Sequence, residues 1–312
     1  MQKQIHHLIL ILLMMGGHLS QAQIPQVSSG SIVRLENFPS DHIAMRNVDV
    51  WLPENYDETQ KYAVLYMHDG QMLFDSSITW NRQEWGVDET VSRLIGEREI
   101  SPCIVVGIWN SDGGRHADYF PQKPFESLPQ DFQDSLINEA MRYGESPLFD
   151  AGVRSDAYLK FIVTELKPYI DNRFSTRSEK EHTFVMGSSM GGLISMYAIC
   201  EYPEIFGGAA CLSTHWTGTF TAENNPIPQA FFGYLRQNLP DPRDHKIYFD
   251  YGTETLDALY EPFQQQADRI MESKGYDSQN RKTLKFEGAD HSEIAWRERL
   301  EFPLIFLLGN QN

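Results

Sequence analysis

Little in this chain points to a cross-linked, metal-bound or membrane-embedded protein. Only three of its 312 residues are cysteine, at Cys103, Cys200 and Cys211. Each lies in an apolar run, so the thiols read as buried and free, and no disulfide framework is available to hold a small scaffold together. Positive charge is scarce as well. The 26 Lys and Arg against 43 Asp and Glu give a formal charge of −17 at pH 7. A surface of that sign is repelled by phosphate backbones and anionic bilayers, which argues against nucleic acid and membranes as partners. Metal-ligand spacing is missing. The nearest candidates are His6-His7 and an isolated Asp244-His245 pair, so neither a metal nor another cofactor is expected. Internal repeats and low-complexity linkers are absent too.

Long apolar runs are also lacking. Leu8–Met15 reads LILILLMM, which is too short to cross a bilayer. With Lys3 before it and Ser20-Gln21-Ala22 after it, it fits a signal peptide over residues 1–22 with Gln23 opening the mature chain. A periplasmic or secreted protein is the expectation. The remainder, 23–312, suits a single large domain.

What is present is an alternation. Strand-like runs occur at Ser31–Leu35, Ile43–Leu52, Tyr62–His68, Ile104–Trp109, Thr183–Gly187, Gly208–Ser213, Lys246–Tyr251 and Thr283–Glu287. Helix-like runs occur at Val87–Gly96, Asp156–Phe174, Gly191–Tyr202, Pro228–Leu239, Leu256–Lys274 and Ser292–Leu308. The first strands follow one another without a helix between them, and after Tyr62 strands and helices alternate. The pattern predicts an α/β fold: a mostly parallel central sheet with an antiparallel start and helices on both faces. Functional groups then belong in loops beyond the carboxyl ends of the strands. Two stretches break the alternation, Ser111–Gly152 and Thr214–Pro228, and both are candidate rims of a pocket.

The most informative stretch is Thr183–Cys200, TFVMGSSMGGLISMYAIC. An apolar strand leads into Gly187-Ser188-Ser189-Met190-Gly191, and a helix-compatible run follows at once. This is G-x-S-x-G in the strand–turn–helix setting of the α/β-hydrolase nucleophile elbow. The serine in such a turn is strained and exposed, and close backbone approach favours glycine on either side. Ser189 is the expected nucleophile. Its partners in this fold come in the chain order Ser, Asp or Glu, His. Of the later histidines, His215 precedes any acid-bearing loop and His245 precedes a strand. His291 follows a strand and opens the last helix, where a general base must sit. The acid belongs after Lys246–Tyr251, where Glu254 and Asp257 are both open. Asp257 is favoured by its place before a helical run, whose N–H groups would keep it ionised. The oxyanion hole needs a second N–H from an earlier strand-end loop. In His68-Asp69-Gly70-Gln71, Gly70 permits a tight turn, which assigns the hole to the backbone N–H groups of Gln71 and Met190.

Taken together, these residues resemble the "putative esterase" family of α/β-hydrolases, which includes enterochelin-esterase-like proteins, esterase D, and feruloyl and acetylxylan esterases of carbohydrate esterase family 1. The matching pieces are His68-Asp69-Gly70-Gln71 with Phe74, Trp85-Gly86-Val87-Asp88, Ile104-Val105-Val106-Gly107-Ile108, Gly187-Ser188-Ser189-Met190-Gly191-Gly192, Gly252-Thr253, and His291-Ser292-Glu293 with Trp296. The resemblance implies a metal-free serine carboxylic-ester hydrolase. One departure is that relatives carry the acid nearer the Gly-Thr turn, where this chain has Thr255. Trp109, Arg115, Tyr119 and Trp216 are the pocket candidates, since aromatic side chains at strand-end loops suit stacking on sugar or phenolic rings. The expected substrate is a small-molecule or carbohydrate ester of acetyl or feruloyl type. A siderophore trilactone esterase, an acyltransferase and a non-catalytic binding module on the same scaffold are the alternatives.

Overall fold

The computed structural model describes residues 23–142, 146–149 and 152–310; the segment expected to be a signal peptide lies outside the described residues. Eight strands form one sheet: β1 (Ser31–Phe38), β2 (Arg46–Leu52), β3 (Ala63–His68), β4 (Cys103–Ile108), β5 (Thr183–Ser188), β6 (Gly208–Leu212), β7 (Lys246–Gly252) and β8 (Arg281–Phe286). Their spatial order is β1-β2-β4-β3-β5-β6-β7-β8. β2 is antiparallel to both neighbours, and the other five pairings are parallel. This is the mostly parallel sheet with an antiparallel start that the alternation predicts.

The apolar runs are continuous because the central strands are buried on both faces. With a side-chain period of two, β3 sends Val64 and Tyr66 into one core and Ala63, Leu65 and Met67 into the other. β4 divides in the same way, with Ile104, Val106 and Ile108 against Cys103 and Val105. The first core is covered by α2 (Ser155–Phe161, continuing through a π turn at Ile162–Leu166 into Lys167–Arg173), α3 (Met190–Glu201), α4 (Ile227–Asn238) and α5 (Glu261–Ser273). The second is covered by α1 (Val87–Gly96), α6 (Glu293–Glu298) and α7 (Glu301–Leu308). α3 is buried over every residue from Met190 to Cys200, so the helix behind Ser189 is a fixed strut. Its apolar residues show no polar face because it has no solvent side. The three cysteines are free and buried, as their apolar surroundings suggest.

Two expectations change. The stretch from Ser111 folds locally into short helices at Arg115–Tyr119, Gln122–Glu126 and Gln130–Glu139. Prolines punctuate it: Pro121 and Pro129 stand directly before the second and third helices, where a missing N–H costs nothing. The C-terminal helical run splits at Arg299-Leu300. Pro303 cannot donate to the Arg299 carbonyl, and the break turns the Arg299 side chain inward to 2% exposure.

Candidate active site

Four loops beyond the carboxyl ends of β3, β5, β6 and β7 converge, and each contains a non-glycine residue at positive φ: Asp69 (58°), Ser189 (57°), Ser213 (42°) and Thr255 (53°). Such conformations cost on the order of 1–3 kcal/mol each and persist where the surroundings over-determine them. Half of the eight such residues among those described therefore sit at one end of one sheet.

Ser189 occupies the elbow between β5 and α3, with ψ at −119°. The glycines around it differ in their reasons. A Cβ on Gly187 would lie 2.8 Å from the Gly191 carbonyl carbon, so only glycine fits there. A Cβ on Gly191 would meet nothing closer than 3.5 Å, whereas one on Gly192 would press on the Leu212 carbonyl at 3.0 Å. The close approach is made by Gly187 and Gly192, not symmetrically about the serine. The Ser189 N–H donates to the Leu212 carbonyl at 2.9 Å, and its carbonyl accepts from the His215 N–H at 3.2 Å. Met190 opens α3, so its N–H lacks an intrahelical acceptor and faces the elbow.

On one flank lies the β3 loop. Asp69, not Gly70, takes the left-handed conformation. Gly70 is required for another reason: a Cβ there would lie 2.4 Å from the Gly107 carbonyl carbon on β4. The Asp69 carboxylate receives Arg115 through Nε at 2.7 Å and Nη2 at 2.6 Å, and Asn110 Nδ2 at 2.7 Å. Its N–H donates to the Tyr119 hydroxyl at 3.2 Å. Burial pushes this carboxyl up, but Arg115 and Asn110 outweigh it and hold the group below the usual carboxylate range. The Asn110 N–H in turn donates to Gln71 Oε1 at 3.1 Å, so the loop is fixed from Asp69 to Gln71. The Gln71 N–H has no acceptor among the described residues.

On the other flank, Asp257 is fully buried and Glu254 is exposed. Asp257 Oδ1 lies 2.5 Å from His291 Nδ1, while Oδ2 accepts the Ser213 hydroxyl at 2.5 Å and the Gly252 N–H at 2.6 Å. Of the two acids left open by the sequence, only Asp257 contacts the imidazole. Ser213 Oγ also accepts Trp296 Nε1 at 3.0 Å and Arg299 Nη2 at 2.7 Å. Arg299 ion-pairs with Asp250 at 3.0 Å and approaches Asp257 to 3.6 Å. Burial pushes Asp250 up to about 6, against the pull of that arginine. Thr255 accepts the His291 N–H through Oγ1 at 2.9 Å. The strained threonine thus orients the histidine's main chain.

Between the flanks, His215 Nδ1 bonds the Tyr260 hydroxyl at 2.7 Å, and the Tyr260 ring stands 5.9 Å from that of His291. His215 and Tyr260 thus link the Ser189 loop to the His291 loop. Among the described residues no direct hydrogen bond joins the side chains of Ser189 and His291; such bonds are often loose until a substrate tightens them. None of Ser213, His215, Tyr260 or Arg299 was singled out for the site by sequence; their signal is a mutual packing that no local pattern carries. Among the described residues no group of three or more His, Cys, Asp or Glu is placed to hold a metal ion.

The four pocket candidates divide. Arg115 is at the site, its side chain one quarter exposed. Tyr119 is fully buried beneath it, serving Asp69. Trp216 is not brought to a pocket: it is fully buried, packed against the tilted rings of Phe232 and Phe249, with Nε1 bonded to Gln264 at 2.9 Å. Trp109 is turned to the β2 side, where its Nε1 donates to Asp49 at 2.7 Å and the Arg34 guanidinium lies over its ring. A large apolar ring beside a core strand gains more from burial than from exposure. The two rim stretches do meet, along a groove of about 470 Å³ lined by Phe132, Leu136, Leu148, Phe220, Thr221 and Asn225. Phe220 stands 5.9 Å from His215. A larger groove, about 930 Å³, runs along the β8 edge from Lys246 and Arg281 to Tyr251 and Lys285 and contains none of these site residues.

The family described as "Putative esterase" matches residues 44–307. The uncharacterized protein YbbA of Bacillus subtilis is 25% identical over 180 residues, 57% of this chain and 60% of that protein. An endo-1,4-beta-xylanase/feruloyl esterase of Xylanibacter ruminicola is 24% identical over 220 residues, 65% of this chain and 24% of that protein. The chain thus spans less than two thirds of these relatives' length. Among solved structures, a ferulic acid esterase superposes with a TM-score of 0.61 at 18% identity, covering 90% of this chain and 98% of that one. The enterochelin esterase of Shigella flexneri does so with a TM-score of 0.59 at 17% identity, covering 92% and 59%.

Proposed function

Because the chain belongs to this esterase family, we propose that it is a secreted serine carboxylic-ester hydrolase acting on acyl esters of carbohydrates. The observation that carries the reading is the strained Ser189 elbow flanked by a buried Asp257–His291 pair. In this reading Ser189 Oγ attacks the ester carbonyl carbon while His291 Nε2 takes its proton. The negative charge that develops on the carbonyl oxygen accepts the N–H groups of Gln71 and Met190. Asp257 holds the ring through Nδ1 and stabilises the imidazolium. Collapse breaks the C–O bond, and the departing alcohol takes the proton from His291. Water, deprotonated by the same imidazole, attacks the acyl-serine; the bond from the acyl carbon to Ser189 Oγ breaks, Oγ takes the proton back from His291, and the carboxylic acid leaves. Feruloyl esters borne on carbohydrate are favoured by the activities for which the relatives are named and by the mixed aromatic and amide lining of the groove beside His215; acetyl esters of the same chains are the smaller alternative.

A siderophore trilactone is the second reading, favoured by Arg115, whose partly exposed guanidinium would pair with a catechol oxygen. The test is a screen against p-nitrophenyl acetate, p-nitrophenyl butyrate, methyl ferulate and enterobactin, each repeated with Ser189→Ala. The variant should remain folded and lose activity by on the order of 10⁴-fold or more. Near-normal turnover by a clean Ser189→Ala preparation would remove the nucleophile assignment.

A further inference from the structure

The loop Asp75–Glu84 carries a side chain that the reaction above does not use. Trp80 is 83% exposed, more than any other large hydrophobic residue among those described. Its neighbours hold it there. Thr79 is buried. The Ile78 N–H donates to the Asp75 carbonyl at 3.3 Å, the Ser77 N–H to Asp75 Oδ1 at 2.9 Å, and the Gln83 N–H to Asn81 Oδ1 at 3.1 Å. Two side-chain bonds then tie the loop to α6, the helix that begins just after His291. Asn81 Nδ2 donates to Glu293 Oε2 at 2.8 Å, and Arg297 Nη1 donates to Glu84 Oε1 at 2.9 Å. The indole is therefore displayed in water, on a loop bonded to the helix that follows His291.

We propose that Trp80 is a sugar-ring platform on the rim of the active site, binding a pyranose of the carbohydrate chain that bears the ester. The proposal rests on the esterase reading and extends it from the ester to the polymer behind it. A flat indole face matches the apolar C–H face of a pyranose, and sugar hydroxyls need hydrogen-bonding groups around that face. The loop carries such groups on Ser76, Ser77, Arg82 and Gln83, next to Trp80 in the chain. A membrane-inserting tryptophan sits among aliphatic and basic residues, whereas this loop is polar and the chain carries a charge of −17.

The experiment compares wild type, Trp80→Ala and Trp80→Tyr on acetylated xylo-oligosaccharides and on p-nitrophenyl acetate. Trp80→Ala should raise KM for the oligosaccharide ester about three- to tenfold at unchanged kcat, the range expected for one lost stacking contact. Trp80→Tyr should restore most of it, and p-nitrophenyl acetate kinetics should be the same for all three proteins. In parallel, Ser189→Ala titrated with the oligosaccharide should show a tryptophan fluorescence change that Ser189→Ala/Trp80→Ala lacks. That arm reads binding without turnover, so it stands even if the esterase reading fails. Unchanged KM for the oligosaccharide, an equal effect on both substrates, or Trp80-dependent binding to phosphatidylglycerol vesicles in place of sugar would overturn the platform. Hydrolysis of p-nitrophenyl acetate in the same preparation would meanwhile leave the esterase reading intact.

Discussion

Ser189 stands between two buried carboxylates, and the two are used differently. Asp69 gives both oxygens to Arg115 and Asn110, and so is saturated by one cation and one amide. Asp257 gives one oxygen to Ser213 and Gly252 and keeps the other for the imidazole of His291. Its arginine, Arg299, is held 3.6 Å away and pairs more closely with Asp250. A carboxylate locked by a bidentate guanidinium is a structural brace, because its charge is fully met. One with a lone pair left for a histidine can respond to a proton arriving on that ring. The same residue type thus fixes a loop on one flank and, in the proposed mechanism, follows the chemistry on the other.

The comparison breaks most sharply at Asp257. Replacing it by Asn should lower kcat by about 10⁴-fold, since the amide cannot stabilise the imidazolium and favours the wrong tautomer. Glu254→Gln, on an exposed side chain, should leave kcat within about twofold. Steady-state kinetics on p-nitrophenyl acetate decides, and the reverse ranking would transfer the acid role to Glu254.

Asp69→Asn should do less. Asn tolerates the left-handed backbone, so the loop keeps its course but loses the ion pair with Arg115. We expect kcat to fall about 10²-fold, the usual cost of a slightly misplaced oxyanion donor, with KM little changed. Steady-state kinetics on p-nitrophenyl acetate checks this, and a loss as large as that of Asp257→Asn would mean that the two flanks are not separable.

The smallest effect concerns stability and applies to both flanks together. Burial lowers His68, next to Asp69, to about 3, and lowers His215, bonded to Tyr260, well below the ordinary histidine value. A depressed base contributes its full stability above the unfolded pKa of about 6.5 and loses it as pH falls towards the folded value. Asp250, raised to about 6, works in the opposite direction between that value and the ordinary carboxylate range, one group against two. The urea midpoint should therefore drop between about pH 7 and pH 5. A flat or rising midpoint would show that one of the histidines is charged in the folded protein.

The pattern of apolar runs was enough to place the eight strands, because a doubly covered sheet needs long two-sided apolar segments and those are written locally. The elbow was equally legible, since a strand, a glycine-flanked serine and a helix occupy adjacent residues. The chain order of serine, acid and histidine followed from the sequence pattern and the strand-end positions. The choice between Glu254 and Asp257 did not. The two lie three residues apart on one loop, and only the short 3₁₀ turn Thr255–Leu259 decides which carboxylate points inward. Nor could the sequence tell a pocket tryptophan from a core one: Trp216 follows a strand as a site residue would, yet its loop folds back onto Phe232 and Phe249. The braces themselves were invisible for a simpler reason. Asp69 and Arg115 are 46 residues apart, Asp257 and His291 34, Ser213 and Arg299 86. Turn chemistry and hydrophobic periodicity act over a few residues, so they determine which segments become strand, helix and elbow. Which buried charge meets which partner is set only when the segments pack, because the cost of leaving a charge unpaired arises only once water has been excluded.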